Sequence, residues 1–109
     1  MRKRSVRWSV EAERDLEDIV DFLLTRSPDE AESVWKPIRG AASRLESLSE
    51  RGRVVPELRR AGVRTYRELI VRRRYRLLYR ASPRSVLVVA VLDGRRDLEE
   101  VLLARFRPG

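Results

Sequence analysis

The chain has 109 residues, 42% of them hydrophobic, and a net charge of +8, which suits one domain over residues 1–109 with a core of its own. It contains neither cysteine nor histidine, which excludes disulfides, thiolate metal sites, thiol nucleophiles and imidazole acid–base catalysis. The longest apolar runs, such as residues 86–92, fall far short of the roughly 20 residues that span a bilayer. The basic start MRKRSVRW leads into no apolar signal-peptide core, so a cytoplasmic protein without cofactor or metal is expected.

In chain order, residues 4–8 read as a short strand. Ser9 is placed to cap a helix whose first turn carries Glu11 and Glu13, both favourable near a helix N-terminus. Ala12, Leu16, Ile19, Val20, Leu23 and Leu24 recur at helical spacing and form its apolar stripe. Asp15, Glu17, Asp18 and Asp21 lie elsewhere on the surface and read as a solvated face. Ser27-Pro28-Asp29-Glu30 combines capping-box spacing with proline at the first helical position. The second helix runs to Leu48, bent at Pro37 but in phase across it. Trp8 and Trp35 are expected in the core.

After Arg51-Gly52-Arg53 the period becomes alternating. Residues 54–58 are extended or a short turn, and residues 59–64 are a loop around Gly62. Strands are predicted over residues 65–71, 75–80 and 86–92, the last apolar on both faces and hence central. A short helix over residues 97–105 ends the chain. The fold class is α+β: an N-terminal strand, then an antiparallel helical hairpin packed on one face of a twisted antiparallel sheet, in the order β-α-α-β-β-β, then the short helix.

The charge is unevenly spread. Residues 51–96 hold fourteen arginines against Glu57, Glu68 and Asp93, so one block carries +11 while the flanks are slightly acidic. Such a field attracts phosphate backbones or acidic protein segments. Strand alternation places Arg67, Leu69 and Val71 on one face, and Arg76, Leu78 and Arg80 on one face. Whether these faces coincide depends on the turn at Arg72-Arg73-Arg74: a two-residue loop unites them, a three-residue loop separates them. Tyr75, Leu77 and Tyr79 suit the helices better than arginine does, so Arg76 and Arg80 point away, while Glu68 needs an arginine partner or the sheet rim. With the short loop, Arg67, Arg76 and Arg80 make a cationic saddle on a helix-free side.

The sequence resembles the RelE/ParE superfamily of bacterial type II toxins from Val6 to about Leu103. The resemblance rests on Ala12, Asp15, Leu16, Ile19, Phe22 and Leu23 in the first helix and Ser27-Pro28 opening the second. It continues in GRVVPEL from Gly52, YREL from Tyr66, YRLLY from Tyr75 and GRRDL from Gly94. It implies the same α+β fold and a growth-inhibiting toxin neutralised by a cognate acidic antitoxin. Arg67, Leu69, Val71, Arg76, Leu78 and Arg80 are then the expected antitoxin contacts, and Arg67, Arg76, Arg80, Arg95 and Arg96 the expected binding residues.

The superfamily divides by target. RelE-like members cut messenger RNA on the ribosome with basic side chains and a C-terminal tyrosine. Arg67, Arg76 and Arg96 match three of the basic positions and would be the catalytic residues of a ribosome-dependent endoribonuclease. Leu69 stands at a lysine position, however, and Leu102 at the tyrosine position; neither can transfer a proton or hold phosphate. YREL and GRRDL look more like the ParE branch, whose members poison DNA gyrase without being nucleases. A ParE-like toxin is therefore the favoured expectation, with RelE-like cleavage of ribosome-bound messenger RNA and a non-toxic basic binding module as alternatives.

Overall fold

The computed structural model describes residues 3–95 and 98–106. Its elements are β1 (Ser5–Trp8), α1 (Val10–Leu24), α2 (Pro28–Leu48), β2 (Arg53–Val54), α3 (Pro56–Arg60), β3 (Arg67–Val71), β4 (Tyr75–Ala81), β5 (Ser85–Asp93) and α4 (Glu99–Arg105). Both helix starts follow the sequence signals. The Ser9 hydroxyl accepts from the Ala12 N–H at 3.0 Å, and the Ser27 hydroxyl from the Glu30 N–H at 3.4 Å. Pro28 begins α2, and Pro37 lies inside it without ending it.

The strands form one open sheet in the order β1-β5-β4-β3-β2. The meander is antiparallel, as its alternation predicts, but β1 runs parallel to β5, so the sheet is mixed. After the helical hairpin the chain re-enters the sheet at β2 running against β1, and three antiparallel steps through β3 and β4 then bring β5 parallel to β1. A bulge between Leu78 and Tyr79, which pair with Ala90 and Val88, skips Val89.

Two cores result. On one face α1 and α2 bury Leu16, Leu23, Ile38 and Leu45 against Tyr75, Leu77, Tyr79, Val86 and Val91. The opposite face is not helix-free, as the charge pattern led one to expect. There α3 and α4 cover Leu78, Ala90 and Leu92 with Val55, Leu58, Leu98 and Leu102. Helices this short carry too few periodic positions to reveal which face they seek. No described helix is long and apolar enough to cross a membrane.

Trp35 corrects a second expectation, being 42% exposed. Arg39 lies over both tryptophan rings, 4.2 Å from the Trp8 centroid and 5.8 Å from that of Trp35, and grips Glu13 with two hydrogen bonds. The indoles thus flank a cation that ties α2 to α1 and β1. Nor does Asp15 simply face water: it accepts from the Val91 N–H and from Arg105, joining α1 to β5 and α4.

The turn after β3 settles the register. Val71 pairs with Tyr75 and Arg67 with Tyr79, so the loop is the three residues Arg72, Arg73 and Arg74. Arg72 and Arg73 both have positive φ, at 57° and 58°, a region that costs an L-residue other than glycine roughly 1–2 kcal/mol. Replacing the pair by asparagine and glycine, which favour that region, should raise stability by about 1–2 kcal/mol in urea unfolding at an unchanged slope.

Candidate functional site: a spent arginine, a cationic tip and an apolar groove

The three-residue loop separates the arginines that a shorter loop would have united. Arg67 stands on the α1–α2 side with Leu69 and Val71, and Arg76 and Arg80 on the other. The shared saddle of Arg67, Arg76 and Arg80 is therefore not built. Each instead has its own surroundings. Arg67 donates to the Gly52 carbonyl at 2.7 Å and lies 3.7 Å from Glu50. Arg80 is exposed near the far end of β4.

Arg76 is only 8% exposed, and its guanidinium is held between two carboxylates. Pro56 starts α3 and sets Glu57 in its first turn, where both carboxylate oxygens meet Arg76 at 2.6 and 2.7 Å. Glu68, 1% exposed on the neighbouring strand, accepts from the Arg76 Nε at 2.6 Å and from Arg53 at 2.8 Å. The hydrogen bonds that Arg76 donates to Glu57 lead the causes that raise the Arg76 pKa, against the cost of burial. Gly94 closes over the pair: its N–H donates to the Arg74 carbonyl at 2.6 Å, and a Cβ there would lie 2.7 Å from that oxygen. A cation so enclosed holds three elements together, with three of its five N–H groups given to Glu57 and Glu68. Leu78 is likewise fully buried, and neither residue presents the antitoxin-facing surface expected of it.

The acids of the basic block are thus all committed to arginine: Glu57 to Arg76, Glu68 to Arg76 and Arg53, and Asp93 to Arg74 and Arg95. Hydrogen bonds from Arg76 hold the Glu57 carboxyl below its ordinary 4.5. Asp93 is also lowered from 3.8: burial pushes it up, but hydrogen bonds from Arg74 and the Arg95 N–H prevail. Because these folded-state values lie below the unfolded ones, the stability they supply is present above the ordinary carboxylate range and lost as pH falls through the depressed values. Asp15, raised by burial, acts in the opposite sense. With two lowered acids here and Glu13 lowered by Arg39, urea midpoints should hold between neutral and mildly acidic pH and fall below about pH 4. Glu57→Gln should flatten that fall.

Two surface pockets border β3 and the turn that follows it. One is a pocket of about 280 Å³ at the hairpin tip, lined by Arg53, Arg60, Arg73, Arg74, Arg76 and Arg95 with the single carboxylate Glu57. Of the expected binding residues it collects Arg76 and Arg95; Arg96 lies outside the described residues. Sequence reasoning passed over Arg53, Arg60 and Arg73, although acids were scarce around them.

The other surface is a groove of about 460 Å³ between α2 and β3. Pro37, Ala41, Leu45 and Leu48 form one wall, Leu69, Ile70 and Val71 the other, with Arg44, Arg51 and Arg72 at its margins. Leu48 and Ile70 are 41% and 50% exposed. β2 pairs only with Arg67 and Glu68, so among the described residues the outer edge of β3 beyond Glu68 has no partner strand. Leu69 and Val71 are thereby placed where a docking segment would meet them. The two-residue length of β2, which leaves that edge open, has no counterpart in the alternation pattern.

With this geometry in view, comparisons with known proteins point one way. The family profile described as "ParE toxin of type II toxin-antitoxin system, parDE" matches residues 6–98. A solved structure from "Chromosomal ParDE TA system from P. aeruginosa" is similar in fold, with a TM-score of 0.69 at 19% identity, over 85% of this chain and 98% of that one. No curated protein sequence matches.

Proposed function

Given that the chain belongs to the ParE toxin family of type II toxin–antitoxin systems, we propose that it is a cytoplasmic growth inhibitor that poisons DNA gyrase, does not cleave RNA, and is neutralised by an acidic antitoxin. The observation that carries the non-nuclease reading is the state of Arg76. A residue enclosed by Glu57 and Glu68 cannot also neutralise a scissile phosphate. Leu102, at the position where an RNA-cleaving relative needs tyrosine, is fully buried on the inner side of α4. Arg67 lies on the opposite face of the sheet from Arg76, so these two do not converge on one phosphate.

The groove between α2 and β3 suits the antitoxin. An extended acidic segment entering it would extend the sheet by pairing with the free edge of β3, seat apolar side chains on Ala41, Leu45, Leu48 and Leu69, and meet Arg44, Arg51 and Arg72 with its carboxylates. This retains Leu69 as a side-chain contact and Val71, 7% exposed, through the backbone edge of β3, and replaces Arg76, Leu78 and Arg80 with the marginal arginines.

Purified protein added to gyrase and relaxed plasmid is expected to block supercoiling and to accumulate cleaved DNA. On translating ribosomes, toeprinting should reveal no new cuts. Codon-specific cuts with gyrase unaffected would overturn the reading in favour of the nuclease.

A further inference from the structure

The tip pocket asks for a ligand of its own. Its walls are guanidinium groups already oriented by internal partners: Arg74 by Asp93 at 2.9 Å, Arg76 by Glu57 and Glu68, and Arg53 by Glu68. Arg60, Arg73 and Arg95 complete the arginine lining. Arg95 is 67% exposed, with its nearest carboxylate 3.7 Å away, and Arg72 and Arg73 have no carboxylate partner among the described residues. Glu57, the one carboxylate of the lining, accepts a hydrogen bond from Arg76 at each oxygen and also feels the charge of Arg60, so six arginines share it. The pocket therefore keeps a surplus of positive charge that the fold does not neutralise.

The same tip bears a conformational cost. Arg72 and Arg73 occupy the left-handed region, where asparagine and glycine sit with less strain. Arginine is thus held at the apex of a hairpin that would close more cheaply without it.

The chemistry of the lining chooses among anions. An acidic peptide needs apolar seats as well as charge, and here only Ile70 and Pro56 are apolar; the groove on the other side of Ile70 supplies those seats instead. A phosphodiester backbone needs neither apolar seats nor a strand edge. It needs several convergent N–H forks, which arginine provides better than lysine. We infer that the pocket lined by Arg53, Arg60, Arg73 and Arg95 is a nucleic-acid backbone site, separate from the antitoxin groove and independent of whether gyrase is the target. Binding there is by phosphate contact, so it is salt-dependent and tolerant of sequence.

Fluorescence anisotropy of the full chain with a short labelled DNA duplex, and with a single-stranded RNA of like length, tests this over a salt series. Arg73→Ala combined with Arg95→Ala should weaken binding about tenfold or more and reduce the slope of log affinity against log salt by about 2. Arg59→Ala with Arg84→Ala, two exposed arginines outside the pocket carrying the same charge change, should leave affinity nearly unchanged. Both residue pairs are exposed, and matched thermal melts establish that the variants are folded. Tip-dependent binding of either nucleic acid supports the site. Equal losses in both double variants, no binding by the unaltered chain, or a tip-dependent affinity for polyglutamate but not for nucleic acid would each overturn it. None of these readouts uses gyrase, so failure of the gyrase reading leaves the result legible.

Discussion

Arg76→Met is expected to lower stability by about 3–5 kcal/mol, the typical effect of leaving one member of a buried ion pair uncompensated. Glu68, 1% exposed, would keep only the single hydrogen bond from Arg53, and Glu57 would lose both of its own. For a domain of this size, such a loss displaces the thermal midpoint by on the order of 15 °C, out of a total stability of roughly 5–15 kcal/mol. Circular dichroism melts would measure it, and a midpoint within a few degrees of the unaltered chain would refute the network's structural role. The effect also bears on activity measurements. An Arg76→Ala protein that no longer inhibits growth says nothing about catalysis until it is known to fold.

Gly52→Ala should be nearly as damaging, for a different reason. The chain passes so close to β3 and β4 there that a Cβ would lie 2.5 Å from the Tyr79 hydroxyl and 2.7 Å from the Glu68 carbonyl. That hydroxyl, fully buried, donates to the Ser49 carbonyl at 2.7 Å and accepts from the Gly52 N–H at 2.9 Å. It anchors the end of α2 to the sheet, and burial raises its pKa. Crowding and the lost hydrogen bonds together should cost about 2–4 kcal/mol. Tyr79→Phe removes the bonds without adding an atom and should cost about 1–3 kcal/mol. Combined, the two substitutions should cost less than their sum, because removing the hydroxyl relieves the closest of the three clashes. Strict additivity in urea unfolding would count against the contact.

How much of this was legible in the sequence follows from what each signal encodes. The helical hairpin was readable because Ser9, Ser27 and Pro28 act locally, and because α1 and α2 are long enough for their periodicity to stand out. The faces of β3 and β4 were readable separately, since alternation fixes each strand by itself. Their relation was not. It turned on one residue in a loop of three arginines, where neither asparagine nor glycine marks the positive-φ positions. From that single step came the lost saddle of Arg67, Arg76 and Arg80. Of the two places alternation leaves Glu68, an arginine partner or the sheet rim, the structure has the first. Glu57 was overlooked as a partner because it arrives on α3, whose five residues are too few to display a period. The role of Trp35 was misjudged by composition: tryptophan usually reports a core, but here the ring serves as a half-exposed platform for Arg39.

The most direct test of the claim that Arg76 holds the fold rather than acting on a target is a compensated variant. Arg76→Met, Glu68→Met and Glu57→Gln together remove the whole buried ionic network, a replacement that is often neutral or stabilising when volumes match. Expressed where the unaltered chain arrests growth, this variant should melt near the parent temperature and still arrest growth, while Arg76→Met alone unfolds. A compensated protein that folds at the parent temperature yet leaves growth unaffected would assign Arg76 to the target after all.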